Sequence, residues 1–431
     1  MPSTKVELVT IGDELLLGFT IDTNGAHLAR ELAAIGIEVA RRVTVRDDAN
    51  DIAAAVREAL DRTGAVITTG GLGPTSDDHS KPAVAGVFGR EMRLDESHLA
   101  WMEARWQARF KRALPASNRA QAMIPDGARV LTNNHGSAPG IWLEDERGRW
   151  VAMLPGVPRE MRGMLSDTLL PILRARAGET VVHSRTLRTT GVAESLLADW
   201  IESIERGFPG LDLAYLPGVD GVDLRLTARG VTAPAAELAL DEAARRLKDR
   251  IGIAVYAEGE ADLAAVVLEQ CRRARLRVAV GESCTGGLVA ARLTAIPGSS
   301  DVVMGGVVAY HNDAKVALLG VDPDTLTAQG AVSEPVVRQM AAGARAATRA
   351  EVGLGVTGIA GPTGGTPEKP VGAVWISVDV EGDVRSVGLR LWGDRDEIRR
   401  RAAQAVLDLA RRALLARESR RGATTAHATH A

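Results

Sequence analysis

The sequence predicts an α/β protein of three domains, and three observations support this prediction. Strand-like and helix-like segments alternate in the first and last thirds of the chain, with a β-α-β-β-α-β order between them. Of the 431 residues, 45% are hydrophobic and 25% are charged, which is typical of globular proteins. We expect domains at 1–172, 178–257 and 261–416, followed by a disordered tail at 417–431 that has no apolar period.

The composition argues against several classes of function. The formal net charge of −3 gives no global basic field for nucleic acid. No apolar run is long enough to span a bilayer, and the first residues lead into a strand without a signal peptide. Cys271 and Cys284 are the only cysteines, too few for a disulfide framework. We therefore expect a cytoplasmic protein without membrane or direct nucleic-acid partners.

The first domain alternates strands and helices, with strands expected at 6–11, 39–45 and 65–69 and helices at 23–35 and 52–60. Glycines at positions 36 and 64 end these helices. The alternation predicts a doubly wound parallel sheet, whose ligands bind beyond the carboxyl ends of the strands. The loops at 12–14 and 70–78 fall at such ends.

Carboxylates follow the strands at both of these loops. Asp13 and Glu14 come after the first strand, and Asp77 and Asp78 follow the glycine turn at 70–73. Four carboxylates at neighbouring strand ends could hold a divalent metal together with a diphosphate. Capping of a helix by Asp77 or Asp78 is the structural alternative.

In the last domain, a loop at 281–287 lies between an expected strand at 276–280 and an expected helix at 288–294. Backbone N–H groups at a helix N-terminus can hold an anion or a developing oxyanion, so Ser283 is a candidate nucleophile. A simple N-cap serine is the alternative. Cys284 is a competing nucleophile, because a helix N-terminus also lowers the pKa of a thiol.

Lys315 is a candidate base for this serine. It lies early in an expected helix that Asn312 or Asp313 caps and Gly320 closes. To accept a proton it must lose its charge near neutral pH, which requires desolvation or nearby cations. A solvated lysine is the alternative. Tyr310 could relay a proton, stack on an aromatic ligand, or fill a half-buried core position.

A glycine-dense loop at 357–366 follows an expected strand at 352–356, and its N–H groups could cradle a phosphate. The final helix, expected at 394–416, begins with Arg395, Arg399 and Arg400. An arginine bordering its buried face could grip a phosphate in bidentate fashion. A solvated arginine is the alternative for each.

The last domain resembles the competence/damage-inducible protein CinA family through motifs at 281–287, 297–300, 310–315, 330–334, 357–365 and 368–372. The resemblance implies an amidohydrolase that converts nicotinamide mononucleotide to nicotinic acid mononucleotide and ammonia without a cofactor. It implies Ser283 as nucleophile, Lys315 as base and Tyr310 as their partner. The substrate-binding residues expected around them are Glu282, Cys284, Thr285, Gly286, Gly287, Thr357, Gly358, Gly361, Gly364, Gly365 and Arg399.

The resemblance extends to the first domain through motifs at 12–16, 22–24, 70–78 and 154–158. It implies a molybdopterin-binding-like fold and a metal-dependent ADP-ribose pyrophosphatase activity. The expected site consists of Gly12, Asp13, Glu14, Asn24, Gly70, Gly71, Gly73, Thr75 and Ser80. The expected ligands of its divalent metal are Asp77 and Asp78.

The middle domain is similar to the family's KH-like domain. It lacks a Gly-x-x-Gly loop with flanking basic residues, so RNA binding is not expected. The resemblance also implies a homodimer. Two functions stay open: a bifunctional enzyme acting on nicotinamide mononucleotide and ADP-ribose, and a non-catalytic pterin- or nucleotide-binding protein in competence or the DNA damage response.

Overall fold

The computed structural model describes residues 5–75, 78–176, 180–205 and 207–428. They fall into two compact units. The first contains the chain up to Ser184 together with Thr227–Leu240, and the second contains Arg185–Leu226 and the chain from Asp241 onward.

The first unit is built on a six-stranded sheet with the order β2-β1-β3-β8-β7-β6. The strands are β1 Lys5–Ile11, β2 Glu38–Val45, β3 Ala65–Thr69, β4 Met92–Leu94, β5 Met123–Pro125, β6 Arg129–Leu131, β7 Gly140–Glu144 and β8 Trp150–Leu154. The helices are α1 Asp13–Leu16, α2 Thr23–Ala34, α3 Ala49–Thr63, α4 Ser80–Val87, α5 Glu96–Phe110, α6 Pro158–Met164 and α7 Leu170–Arg174. Strands β4 and β5 form a separate antiparallel pair.

This sheet is doubly wound, as predicted, but it is mixed. Strands β2, β1, β3 and β8 run parallel, and β7 and β6 extend the sheet in antiparallel fashion. Strand β1 is apolar on both faces: Leu8 packs in a cluster with Leu28 of α2, and Val9 packs in another with Ile52 of α3. A strand buried on both faces is what helices on both sides of a parallel sheet require.

The predicted β-α-β-β-α-β order of the middle segment is confirmed. Its elements are β9 Thr180–Thr189, α8 Glu194–Glu205, β10 Leu211–Pro217, β11 Val222–Thr232, α9 Ala233–Ile251 and β12 Val255–Glu258. The four strands form one sheet with the order β10-β11-β9-β12.

The last segment forms a five-stranded sheet with the order β14-β13-β15-β16-β17. The strands are β13 Val278–Glu282, β14 Val303–Val308, β15 Val352–Gly358, β16 Ala373–Val380 and β17 Asp383–Arg390. The helices are α10 Leu263–Ala274, α11 Leu288–Thr294, α12 Asn312–Leu319, α13 Pro323–Gln329, α14 Glu334–Thr348 and α15 Arg395–Ala428. The first three strands of the order are parallel and the last two are antiparallel, so this sheet is also mixed.

Helix α15 is longer than the sequence predicted. We expected it to end at residue 416 and the chain beyond to be disordered, but the helix continues to Ala428. Arg417 and Arg420 extend along it and form ion pairs with Glu381 and Asp383, both at 2.6 Å. The end of this helix is held by charged contacts and has no apolar period, which is the signal that the sequence prediction used.

Among the residues that the structure describes, every helix is too short or too polar to serve as a membrane span.

Candidate active sites

In the C-terminal domain, Ser283 lies where three parallel strands end together. The Ser283 N–H donates to the Val356 carbonyl at 2.9 Å, and the Ala309 N–H donates to the Glu282 carbonyl at 2.8 Å. These two bonds tie the start of the serine loop to the ends of β15 and β14. Ser283 is 8% exposed, so the residue is almost fully buried at the start of this loop.

Glu282 caps the helix that follows. Its carboxylate accepts from the N–H groups of Gly287 at 3.0 Å, Val289 at 3.1 Å and Ala290 at 2.8 Å. The positive end of α11 is therefore already neutralised by a protein carboxylate. We expected Glu282 to contact substrate, but it is 1% exposed and supports the loop from within. Gly287 was also expected to bind substrate, and its N–H is occupied by Glu282.

Two backbone N–H groups of the serine loop have no backbone partner. The N–H groups of Cys284 and Thr285 donate to no backbone carbonyl in the described part of the chain. Gly286 and Gly287 both have positive φ, 61° and 95°, and turn the backbone into the helix. Thr285 is fully buried and Cys284 is 5% exposed, so these N–H groups could hold an oxyanion only after the loop uncovers them.

Arg399 holds the same loop from outside. Its Nη2 and Nε donate to the Thr285 carbonyl at 2.9 and 3.3 Å. The sequence predicted a substrate-binding arginine here, and the structure gives Arg399 a partner within the protein. The Thr285 hydroxyl is buried and has no hydrogen-bond partner among the described residues.

Lys315 is buried, which distinguishes it from an ordinary solvated lysine. It is 1% exposed, and its Nζ donates to the carbonyls of Ala309 at 3.0 Å and Tyr310 at 3.2 Å. Desolvation lowers its pKa, and the nearby Cys284 partly opposes this. Its helix is capped by the His311 side chain rather than by Asn312 or Asp313, and Gly320 closes it as predicted.

Cys284 is a poor competitor for Ser283. It is 5% exposed, and burial raises the pKa of its thiol to about 12. The sequence alternative required a helix N-terminus to lower this pKa. Because Glu282 already caps the helix, that stabilisation of a thiolate is largely cancelled.

Tyr310 and the glycine-dense loop meet at Arg395. The Arg395 guanidinium donates to the Tyr310 hydroxyl at 2.8 Å and to the Gly361 carbonyl at 2.6 Å. The loop's glycines allow close packing and turning: Gly361 and Gly364 have positive φ, and a Cβ at Gly358 would lie 2.9 Å from the Ala373 carbonyl. Arg395 was noted in the sequence only as one of three possible phosphate ligands.

Thr357 and Gly365 serve the framework of this site. The Thr357 hydroxyl donates to the Ala331 carbonyl at 2.8 Å, and Thr357 is 1% exposed. A Cβ at Gly365 would lie 2.8 Å from the Val371 nitrogen. Both residues join the glycine-dense loop to neighbouring segments.

The N-terminal domain has a cavity of about 390 Å³ at the carboxyl ends of its strands. Seven of the predicted residues line it: Gly12, Glu14, Gly70, Gly71, Gly73, Thr75 and Asp78. The lining also includes Asp47, Gln121, Ser137 and Glu160, which were not among the predicted site residues, and Gly156, which belongs to the motif at 154–158. The Gly/Pro-rich loop after β8 was the available signal for Gly156.

Asp78 organises the glycine loop. Its carboxylate accepts from the Gly73 N–H at 2.7 Å, the Thr75 N–H at 2.8 Å and the Thr75 hydroxyl at 2.6 Å. Asp78 therefore makes a local turn as well as facing the cavity. Asp77, the other expected metal ligand, lies outside the described residues.

Three other predicted residues lie behind the cavity or beside it. Ser80 is fully buried and donates to the Gly70 carbonyl at 3.0 Å, and Asn24 donates to Thr69 Oγ1 and to the Gly156 carbonyl. Asp13 is exposed and pairs with Arg46. The contacts of these three residues hold their loops in place, and other residues of the same loops line the cavity.

The charge of the cavity is its most informative property. Its described lining contains Glu14, Asp47, Asp78 and Glu160, and it contains no lysine or arginine. Asn133 Nδ2 donates to Glu160 Oε2 at 2.6 Å and holds that carboxylate over Gly136. Across the described residues, no three His, Cys, Asp or Glu side chains converge closely enough to hold a metal by themselves.

Comparison with known proteins matches each segment to a family. Residues 260–414 match the "CinA C-terminal domain", residues 7–175 the "Probable molybdopterin binding domain", and residues 184–257 the "Damage-inducible protein CinA KH domain".

Relatives of similar length match this chain over almost all of its length. A CinA-like protein of Gemmatimonas aurantiaca is 61% identical over 96% of this chain and 97% of its own. One of Kosmotoga olearia is 40% identical over 95% and 99%. The crystal structure of competence/damage inducible protein CihA from Agrobacterium tumefaciens is 45% identical, covers 35% of this chain and 93% of its own, and has a TM-score of 0.34.

Proposed function

Because the chain belongs to the CinA family, we propose that its C-terminal domain hydrolyses the carboxamide of nicotinamide mononucleotide by a Ser283/Lys315 mechanism. One observation supports this above all: Lys315 is almost fully buried, with a lowered pKa, beside the ends of the strands that hold the serine loop. A lysine that loses its proton readily can act as the base for a serine, which a solvated lysine cannot do at neutral pH.

In the proposed reaction, neutral Lys315 takes the hydroxyl proton as Ser283 Oγ attacks the carboxamide carbon. The carbonyl oxygen becomes an oxyanion, and the N–H groups of Cys284 and Thr285, once the loop uncovers them, are the proposed donors to it. The Lys315 ammonium then protonates the departing nitrogen, the C–N bond breaks, and ammonia leaves. Water attacks the resulting Ser283 ester, which releases the carboxylic acid and restores the hydroxyl.

The surrounding groups have supporting parts in this proposal. Glu282 fixes the loop through α11, and Arg399 fixes it through the Thr285 carbonyl. Tyr310 is 59% exposed and offers an aromatic surface for the pyridine ring, with Arg395 holding its hydroxyl. The N–H groups of the glycine-dense loop are candidates for the substrate phosphate.

The test is ammonia release from nicotinamide mononucleotide by Ser283→Ala and Lys315→Met, compared with Cys284→Ala. We expect the first two to lose at least a thousandfold in kcat and the cysteine variant to stay within about threefold of wild type. Ser299→Ala and Lys369→Met are matched controls, since Ser299 is also 8% exposed and the Lys369 ammonium, among the described residues, donates to the Gln329 carbonyl. Near-normal activity in Ser283→Ala would refute the mechanism.

For the N-terminal domain we propose metal-dependent cleavage of ADP-ribose to AMP and ribose 5-phosphate. The charge of the cavity supports this: a lining with four carboxylates and no basic side chain repels a diphosphate unless a cation accompanies it. Mg²⁺-like ions are usually held by one or two carboxylates together with substrate phosphates. Glu14 and Glu160 are the proposed protein ligands, since both oxygens of Asp78 accept hydrogen bonds within its loop, whereas Glu160 accepts one, from Asn133, on Oε2.

When bound, the cation would neutralise the diphosphate and activate it toward water. The test is AMP release from ADP-ribose before and after chelation, with Mn²⁺ binding measured separately by electron paramagnetic resonance. Glu160→Gln and Glu14→Gln should weaken both, whereas exposed Glu146→Gln should change neither. Metal-independent binding of ADP-ribose or a pterin without AMP release would favour the non-catalytic binding function instead.

A further inference from the structure

A second, smaller cavity of about 180 Å³ lies in the N-terminal domain beside the start of helix α5. It is lined by Asp95, Ser97, His98 and Trp101 of that region and by Val130, Thr132 and Asn133 of the facing segment. Its volume is well below the roughly 300–1,000 Å³ of sites for whole drug-sized ligands. It is suited to a single ring or a small group.

His98 forms part of the wall of this cavity. The residue is 9% exposed, and its Nε2 has no hydrogen-bond partner among the described residues. Burial lowers the pKa of the imidazole, so the ring is kept neutral. The Nε2 atom is buried out of reach of a water molecule, so His98 offers the cavity its ring surface and not a hydrogen bond.

The other walls define the chemistry of the ligand. The Trp101 indole stacks on the His98 ring, with centroids 5.3 Å apart and planes at 23°. Arg105 lies over the same indole, 5.1 Å from its centroid, and donates to the Asn134 carbonyl. Trp101 is therefore fixed in place, and its edge with His98 forms a rigid aromatic wall.

Asp95 is the charged residue of this wall. The Ser97 hydroxyl and the His98 N–H donate to its carboxylate, and these bonds lower its pKa. The described lining has no lysine or arginine. An anion is thus excluded, while an N–H₂ group on a planar ring would find an ionised acceptor.

The small cavity adjoins the larger one through Asn133. This residue lines the small cavity, and its Nδ2 donates to the Ala138 carbonyl at 2.8 Å and to Glu160 at 2.6 Å. Ala138 and Glu160 line the larger cavity. One buried amide therefore separates the larger cavity from a ring-sized space.

We propose that the cavity bounded by Asp95, His98, Trp101 and Thr132 binds a planar nitrogen heterocycle through its amino or carboxamide N–H₂ group. It thereby serves as the base subsite of a nucleotide whose phosphates occupy the larger cavity. This rests on the proposed nucleotide chemistry of the N-terminal domain, and it names a part of that site that the glycine motifs do not contain.

The test uses the full-length protein and calorimetric binding of adenosine and of purine riboside, which lacks the amino group. Wild type should bind adenosine about tenfold more tightly than purine riboside. Asp95→Asn keeps a helix-capping side chain while removing the charge, and it should abolish this preference. Thr132→Val should weaken the binding of adenosine. Asp126→Asn should not, since Asp126 pairs with Arg93 and does not line the cavity.

Nicotinamide riboside distinguishes the two sources of such a ring. If it rather than adenosine shows the dependence on Asp95, the same chemistry holds and the ring is a pyridine carboxamide. Equal affinity of wild type for adenosine and purine riboside, without Asp95-dependent binding of nicotinamide riboside, would overturn the inference. ADP-ribose hydrolysis that is unchanged in Asp95→Asn would leave the diphosphatase intact and sink the subsite. Asp95-dependent adenosine binding without hydrolysis would sink the diphosphatase alone.

Discussion

The Arg395 guanidinium donates to the Tyr310 hydroxyl at 2.8 Å and, with its other terminal nitrogen, to the Gly361 carbonyl at 2.6 Å. A single side chain at the start of α15 therefore joins the tyrosine turn to the glycine-dense loop. Because Tyr310 is 59% exposed, packing does little to hold its side chain in place. Its orientation depends on this hydrogen bond.

We predict that Arg395→Met raises the KM for nicotinamide mononucleotide about tenfold, because Tyr310 and the loop lose their common anchor. Tyr310→Phe should reproduce part of the effect, and the double variant should be less impaired than the sum of the two. Steady-state kinetics measure this, with Arg400→Met as the control, since Arg400 is exposed and only reaches Asp220 at 3.9 Å. Strict additivity would show that the two residues act separately.

The two cysteines should be unreactive in the native protein. Burial raises the pKa of Cys271 and Cys284 to about 12, so almost no thiolate is present at pH 8. A thiol-exchange reagent should label neither residue in buffer and both in concentrated denaturant. Rapid labelling of Cys284 in buffer would mean that the loop opens and would restore the cysteine as a nucleophile.

Activity of the C-terminal domain should increase with pH. Lys315 acts in its neutral form, and desolvation lowers its pKa from the ordinary value of 10.5. The profile of kcat/KM for nicotinamide mononucleotide should therefore have an ascending limb with its midpoint below 10.5. A midpoint that does not fall below this value in wild type would argue against a desolvated lysine base.

Because of Lys81, the free energy of unfolding of the N-terminal domain should rise between neutral and alkaline pH. Its Nζ donates to the Ala120 and Gln121 carbonyls, and burial lowers its pKa to about 8. Between pH 8 and 10.5 the unfolded chain holds this proton and the folded chain does not, so stability rises with pH. From pH 7 to 9.5 the gain is about 2 kcal/mol relative to Lys81→Met.

Urea unfolding of both proteins at the two pH values measures this difference. Exposed Lys111→Met should follow wild type, since Lys111 is solvated in the folded domain as well. Parallel pH dependences of wild type and Lys81→Met would show that Lys81 is solvated or keeps its proton throughout.

Gly353 should tolerate no side chain. It lies on β15, and a Cβ would overlap the Ala341 carbonyl of α14, a backbone atom that cannot swing aside. Gly353→Ala should cost about 3 kcal/mol of unfolding free energy. Gly86→Ala in helix α4 is the control, with nothing within 4 Å of the added carbon, and should be neutral or stabilising by up to ~1 kcal/mol. Thermal denaturation of both variants, compared with wild type, measures these differences in stability.

Much of the fold was predictable because local patterns and global packing agree in it. The apolar run of β1 gave its strand to within one residue, and Leu288–Thr294 was predicted without error. The helical spacing at 52–60 located α3, which extends three residues further at each end, from Ala49 to Thr63. The antiparallel edges of both sheets were not predictable. An edge strand such as β17, with several half-exposed residues, has no pattern that states its direction or its neighbour.

The site residues likewise divide into those that the sequence could identify and those that it could not. Ser283, Lys315 and the glycine loops could be identified because their residue types and places in the motifs are chemical signals. The roles of Glu282 and Arg399 could not, since a carboxylate or guanidinium reads as a ligand group until its partners are known. Glu160 and His98 carried no signal, because only folding brings them to cavities.

The sequence by itself determined the order of strands and helices, the loops at the strand ends and the residue types that chemistry requires there. Those properties depend on spacing along the chain. Tertiary structure alone decided which polar groups are already satisfied: Glu282 by a helix N-terminus, Asp78 by its own loop, and Arg395 by Tyr310 and Gly361. It also decided that Lys315 is desolvated, since burial depends on what packs around a residue from distant parts of the chain.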